Sequence, residues 1–110
     1  MSSARLTQLL TFYKDSPNDP FILFALAKEY EGLGQLETAL QHYLELKEKD
    51  AKYVGLYYHL GKLNEVLQQE KAAWDTYSEG MKVAREIGDQ HALSELAGAR
   101  LNLGDEEDFE

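Results

Sequence analysis

The sequence predicts an all-α fold. Proline, the strongest helix breaker, occurs only at Pro17 and Pro20, so the chain beyond residue 20 has none. Ala, Leu, Glu, Gln and Lys, which favour helices, dominate that stretch. Apolar residues recur there at i, i+3, i+4 and i+7, the spacing of a helix with one buried face. A chain of 110 residues that is 44% hydrophobic has the material for one compact helical domain.

Breaks between the apolar stripes divide the chain into six helices. Ser3 is expected to cap the first helix, and Asp19 followed by Pro20 marks the start of the second. Asp89 is expected to cap the last helix, after Gly88 has ended the fifth. The predicted helices cover about residues 4–14, 20–32, 35–49, 52–67, 70–87 and 90–103. The break at 68–69 is weak because neither Gly nor Pro stands there, and the mostly acidic residues 105–110 are expected to fray.

Composition excludes several classes of function. With 11 basic and 20 acidic residues the net charge is −9, which disfavours binding to nucleic acid. The longest apolar stretch, around residues 21–26, is too short to span a membrane, and no membrane association is expected. There is no cysteine, so disulfides and thiolate metal sites are excluded. Polar residues follow Met1 at once, without the apolar core of a signal peptide, and we expect a cytoplasmic protein.

An internal repeat organises the chain. The pair Leu26-Ala27 recurs 34 positions later as Leu60-Gly61. Four further apolar positions recur at the same offset: Leu23 with Tyr57, Ala39 with Ala73, Leu40 with Trp74, and Tyr43 with Tyr77. Small residues at matching positions of two helices let the helices pack closely. A helix pair repeated at this period predicts a stacked helical-repeat protein.

At these positions the sequence resembles the tetratricopeptide repeat (TPR) family. The family pattern places a large apolar residue, Leu-Gly, Tyr, Ala, an aromatic residue, Ala and Pro along one repeat. The first repeat departs from it at Leu46 and Ala51, and the second at Asn64 and Arg85. The resemblance implies a right-handed α-solenoid of about six antiparallel helices. It implies one TPR domain over residues 1–104, with an N-terminal half-repeat helix (1–17), repeat 1 (20–53), repeat 2 (54–87), a C-terminal half-repeat or capping helix (89–104) and then an acidic tail (105–110).

The resemblance also implies a binding function. In this family the first helices of the repeats line a concave groove that receives a peptide or a helix of a partner. The matching groove positions are Phe21, Phe24, Lys28, Tyr58, His59, Lys62 and His91, with Ala25, Glu31, Gly55, Glu65, Ser94, Glu95 and Gly98 beside them. Each lysine follows an aromatic residue by one turn, which indicates a groove that seats apolar side chains and pairs with carboxylates. The alternative interpretation is that the rings pack inside the stack and the lysines are ordinary solvated charges.

The carboxylate clamp with which some TPR proteins grip chaperone tails is not expected. The positions that would carry its Lys, Asn and Arg residues hold Phe24, Lys28, His59, His91 and Glu95 instead. None of the five keeps the family residue, and Glu95 has the wrong charge. The partner is therefore predicted to be an unidentified protein or peptide with acidic and apolar side chains, bound by an adaptor-type module.

No catalytic, metal or cofactor site is expected. His42, His59 and His91 have no ligand-like spacing, and no hydrolase, phosphate-binding or zinc motif occurs, so the sequence predicts no enzymatic activity. The alternative function is a structural self-assembly unit, a homodimer or larger homo-oligomer through exposed repeat ends. Fraying of the last helix would expose Trp74 and Met81 as its apolar edge. A further hypothesis is that the tail, with Phe109 among carboxylates, occupies the groove of its own or of a neighbouring molecule; the alternative is a plain solubilising role.

Overall fold

The computed structural model describes residues 3–109, and within them the chain is all-α without a β-strand, as predicted. Residues 1, 2 and 110, which belong to the predicted domain and tail, lie outside the described part. The helices are α1 (Ala4–Asp15), α2 (Pro20–Gly32), α3 (Leu36–Lys49), α4 (Gly55–Val66), α5 (Glu70–Ile87) and α6 (Gln90–Leu103), followed by a 3-10 helix, η1 (Glu106–Phe109). In the described part of the chain, no helix is both long enough and apolar enough to cross a membrane.

The predicted helix starts are confirmed at three side-chain caps. The hydroxyl of Ser3 accepts a hydrogen bond from the backbone N–H of Leu6 at 2.8 Å. The carboxylates of Asp19 and Asp89 accept from the second and third residues of α2 and α6, each at 2.9 Å. α5 ends where Gly88 adopts a left-handed conformation with φ 75°, which glycine tolerates because it has no Cβ.

The predicted start of the fourth helix, near residue 52, is wrong by three residues. Asp50 turns the chain first, because its carboxylate accepts from the N–H of Lys52 and its carbonyl from the N–H of Tyr53. The ring of Tyr53 then packs on Phe24 with centroids 5.3 Å apart. The turn and this ring contact come before Val54, whose φ of −62° and ψ of −31° are already helical.

The break at 68–69 is sharper than its sequence indicates. Gln68 has φ 61°, and its equivalent in the first repeat, Gly34, has φ 79°. At both breaks the N–H of the following residue bonds back to the helix, from Gln35 to the carbonyl of Tyr30 and from Gln69 to that of Asn64. The same turn is therefore built twice, once with glycine and once with a residue that tolerates the left-handed region less well.

The helices form two compact units, Met1–Tyr53 (unit 1) and Val54–Glu110 (unit 2). In unit 1, α2 packs against α1 and α3; in unit 2, α5 packs against α4 and α6. Most of the core consists of leucine, alanine and tyrosine side chains. Those that are fully buried include Leu23, Leu26, Tyr43, Leu46, Leu56, Tyr57, Leu60, Leu63 and Tyr77.

A buried tyrosine joins the second helix of each pair to the first. The hydroxyl of Tyr43 donates to Glu31 at 2.8 Å, and that of Tyr77 donates to Glu65. The two bonds occupy equivalent positions of the two repeats, so this tyrosine–glutamate bond is a repeated element of the structure. Burial, and then the bonded carboxylate, raise the pKa of both tyrosines well above the ordinary value of 10.0.

The ring of Tyr77 lies directly on Gly61, the small residue of the second Leu-small pair. A Cβ atom at position 61 would overlap the ring, whereas a Cβ at Gly98 on α6 would meet no atom within 4 Å. Close packing therefore requires a glycine at position 61. Gly98 has no such packing role, and its effect is to lower the helix propensity of α6.

The acidic tail does not fray in its described part. Residues 106–109 form η1, in which Asp105 accepts from the N–H of Glu107 and Asp108 accepts from that of Asp105, both at 3.0 Å. The ring of Phe109 stacks on Trp74 at 4.6 Å between centroids. The expectation of a frayed tail is wrong because the carboxylates bond the backbone of the turn. The same-molecule form of the groove hypothesis is wrong too, since the tail lies on α5.

We predict that Gly61→Ala lowers the free energy of unfolding by about 1–3 kcal/mol, because the methyl group displaces the Tyr77 ring. Gly98→Ala is the matched control and is expected to raise it by about 0.5–1 kcal/mol, through helix propensity alone. Urea unfolding followed by circular dichroism measures both. Equal stabilities for the two variants would contradict the close packing at Gly61.

We also predict a loss of stability at alkaline pH. Above the ordinary tyrosine pKa of 10.0, hydroxyls ionise in the unfolded chain while Tyr43 and Tyr77 stay protonated in the fold. The free energy of unfolding then falls by about 1.4 kcal/mol per pH unit for each of them. Urea unfolding between pH 7 and 11 should show a shallower fall for Tyr43→Phe/Tyr77→Phe. Parallel pH profiles for the variant and the wild type would contradict this account.

Candidate functional site

In unit 1 the predicted groove residues of α2 lie on one face. Phe21, Phe24 and Lys28 line a pocket of about 370 Å³ with Ala25, Arg5 and Glu29. The spacing i, i+3, i+7 places these side chains on one stripe of the helix. The ring of Phe21 is 63% exposed, and the Lys28 ammonium lies 5.7 Å from the centroid of Phe24. The pocket therefore combines an exposed aromatic surface with a cation.

Two tyrosine rings of unit 1 pack against the ring of Phe24. Tyr43 meets it edge-on at 6.3 Å and Tyr53 packs on it at 5.3 Å, measured between centroids. Phe24 is half-buried as a result, while Lys28 is exposed above it. The ring thus packs within its unit and also supports a surface cation, and the use of this face in binding stays a prediction.

Sequence reasoning missed the contribution of α1 to this pocket. Arg5 reaches it with its Nε 3.4 Å from Oε2 of Glu29, whose other oxygen, Oε1, accepts a hydrogen bond from the Ser3 hydroxyl at 2.8 Å. The pocket thus has two cations, Arg5 and Lys28, and one carboxylate that already bonds α1. The family pattern points only to first helices, so it contains no signal for Arg5.

Unit 2 repeats the aromatic–lysine pair on α4. The Lys62 ammonium lies 5.6 Å from the ring centroid of Tyr58 and 3.9 Å from Glu65. Beside it, a pocket of about 240 Å³ is lined by Val54, Gly55, Tyr58, His59, Ala92, Glu95 and Leu96. Two of the predicted groove residues, Tyr58 and His59, meet there with an edge-to-face ring contact at 5.7 Å.

The structure does not bring His91 into that pocket. Its side chain is 87% exposed, and its Nε2 lies 3.7 Å from Glu95, one turn further along α6. Glu95 and not His91 lines the pocket beside His59. The assignment of His91 to a groove stays a prediction.

His42 takes part in packing between helices. It stacks on Tyr30 at 5.4 Å, meets the edge of Tyr13 at 5.9 Å and lies 3.4 Å from Glu45. Burial alone would raise the pKa of Glu45, but bonds from Lys49 and Tyr13 outweigh it and lower the pKa. Among the described residues, no group of three or more His, Cys, Asp or Glu side chains could hold a metal ion.

Comparison with known proteins identifies the family through solved structures. Neither protein-family models nor curated proteins match the sequence. A tetratricopeptide repeat domain protein from Salinibacter ruber is 49% identical in its solution NMR structure, which covers 80% of this chain and 89% of its own with a TM-score of 0.77. Its crystal structure gives 49% identity, coverage of 77% and 96%, and a TM-score of 0.74.

A more distant similarity concerns the fold alone. The type III secretion translocator chaperone SycD from Yersinia enterocolitica is 10% identical over 89% of this chain and 68% of its own, with a TM-score of 0.81. The regularly repeated helix pairs, the close-packed small residues and the similarity to the Salinibacter protein agree with one another. The chain belongs to the tetratricopeptide repeat family.

Proposed function

We propose that this chain is a protein-interaction module that binds a partner segment on the first-helix faces of its repeats, with residues 20–53 and 54–87 as its two repeats. Its membership of the TPR family supports protein binding in general. The observation that carries the specific proposal is the repeated aromatic–lysine pair. Lys28 on Phe24 and Lys62 on Tyr58 have the same geometry, at 5.7 and 5.6 Å, and stand at equivalent positions of the two repeats.

The chemistry of the pairs indicates the partner. A half-buried ring offers an apolar surface that is already ordered, so its use in binding requires little further loss of side-chain freedom. Lysine ammonium groups, joined in unit 1 by Arg5, attract carboxylates, although the chain as a whole carries a net charge of −9. Phe21, exposed to 63%, supplies a further apolar contact. A segment with alternating acidic and apolar side chains matches these features.

Other parts of the sequence-based account remain predictions. These are the absence of catalysis, the cytoplasmic location and the alternative of self-assembly. Self-assembly through Trp74 would require an exposed apolar surface there, but Trp74 is only 8% exposed. Light scattering over a range of concentrations tests that alternative, because self-assembly raises the mean mass with concentration.

We predict that Lys28→Glu/Lys62→Glu loses the partner. Reversal of both charges places carboxylates where the proposal needs cations, and we expect affinity to fall about tenfold or more. The measurement is quantitative capture from cell lysate, read by mass spectrometry, followed by calorimetry with the captured protein.

The matched control for this measurement is Lys71→Glu/Lys82→Glu, which makes the same change of net charge at two exposed positions of α5. A protein retained by the wild type and the control, and lost by the groove variant, supports the proposal. Equal loss in both variants would mean that net charge alone governs binding, and equal retention in both would contradict a site on α2 and α4.

A further inference from the structure

A second surface of unit 2 carries the single tryptophan of the chain. We define the Trp74 surface as Trp74, Ala97, Arg100, Leu101 and Gly104, which line a pocket of about 240 Å³ together with Asp105 and Glu106. The guanidinium carbon of Arg100 lies 4.6 Å from the ring centroid of Trp74. Arg100 is held there by a 3.0 Å hydrogen bond to Ser78. A cation that Ser78 holds in place thus lies over the ring of Trp74.

The repeat register shows what kind of group this surface receives. Leu96-Ala97 is the third Leu-small pair of the chain, after Leu26-Ala27 and Leu60-Gly61. In unit 2 the small residue Gly61 lies under the Tyr77 ring of a second helix. After α6 the described residues continue into the short helix η1, and a pocket remains beside Ala97. Beside Gly61 the corresponding space is filled by Tyr77 from a full helix, whereas the space beside Ala97 is only partly filled.

The segment that now covers the surface has a defined chemistry. Phe109 stacks on Trp74 at 4.6 Å with an interplanar angle of 11°, and Asp105 and Glu106 line the same pocket as Arg100. No residue of η1 itself is buried, and Leu101 at the rim of the pocket is 74% exposed. The contact therefore leaves apolar surface at Leu101 that a longer segment would bury.

We propose that the Trp74 surface is a binding site for a segment of another protein that carries a phenylalanine among carboxylates. Residues 105–109 are its internal competitor: they place Phe109 on Trp74, and Asp105 and Glu106 line the pocket with Arg100, until the partner segment displaces them. The site shares no lining residue with the pocket beside Phe24 and Lys28 or with the pocket beside Tyr58 and His59. The proposal therefore does not depend on the proposed binding at α2 and α4.

The emission of Trp74, the only tryptophan, reports the state of the site in the full chain. In Phe109→Ala the ring loses its cover, and we expect the emission to shift to longer wavelength while far-ultraviolet circular dichroism stays unchanged. The probe is a synthetic peptide with the sequence of residues 105–109, Asp-Glu-Glu-Asp-Phe. It should reverse the shift in Phe109→Ala, and it should bind the wild type about tenfold more weakly or worse, because a tethered tail competes at roughly millimolar effective concentration.

Two matched changes make the test specific. The same peptide with alanine in place of phenylalanine should leave the emission of Phe109→Ala unchanged, and Arg100→Gln added to Phe109→Ala should weaken binding of the original peptide several-fold. Asp108→Ala removes a bond that holds η1 but keeps Phe109, and so gives a second variant with a loosened tail. It should bind the peptide more tightly than the wild type and more weakly than Phe109→Ala.

Several results would overturn the proposal. One is failure of the peptide to reverse the shift at concentrations up to a few millimolar in either tail variant. Another is equal affinity for wild type and Phe109→Ala, which would place the peptide elsewhere. A third is a concentration-dependent dimer of the wild type that Phe109→Ala abolishes, because the occupant would then be the tail of a second copy.

Discussion

The structure depends on one repeated contact, in which a tyrosine of the second helix of a pair bonds the first helix. Tyr43 and Tyr77 are fully buried, and each donates its hydroxyl to a glutamate at the edge of the core, Glu31 or Glu65. In unit 2 the ring also lies on Gly61, where no side chain fits. The contact sets the distance and rotation of the two helices, because it combines a rigid ring with a directional bond at its end.

The exposed faces of the first helices follow from that contact. Leu26 and Ala27 face the core of unit 1. Phe24 and Lys28 lie on the adjoining face of α2, which is half-buried at Phe24 and exposed at Lys28. The same rotation in unit 2 presents Tyr58 and Lys62. The two aromatic–lysine pairs resemble each other because the packing behind them is repeated. The binding proposal therefore rests on the architecture of the repeat and not on two isolated lysines.

Local signals explain why most of the fold was predictable. Ser3, Asp19 and Asp89 cap helices by bonds within three residues, and the repeat period follows from the packing of neighbouring helices. The start of α4 was missed because it depends on the Asp50 turn and on a contact of Tyr53 with a distant helix. The order of the tail was missed because carboxylates, read as solvating charges, bond the backbone of η1.

The candidate site likewise has a part that could be predicted from the sequence and a part that could not. The aromatic–lysine pairs were predictable because Phe24 and Lys28 are four residues apart on one helix, a separation that periodicity fixes. The contribution of Arg5 was not, since it comes from α1 through an ion pair with Glu29 that no sequence spacing encodes. The tyrosine–glutamate bonds had a signal that went unused, because a Tyr and a Glu recur together at the repeat period.

The central claim is that the tyrosine–glutamate bond couples the two helices of a pair. A double-mutant cycle of Tyr43→Phe, Glu31→Ala and the two combined, measured by urea unfolding at pH 7, tests it most directly. We expect a coupling free energy of about 1.5–3 kcal/mol, the range for a hydrogen bond to a charged group. Additive effects of the two substitutions, within about 0.3–0.5 kcal/mol, would contradict it. The first helix would then be held by apolar packing alone, and the shared geometry of the two aromatic–lysine faces would need another cause.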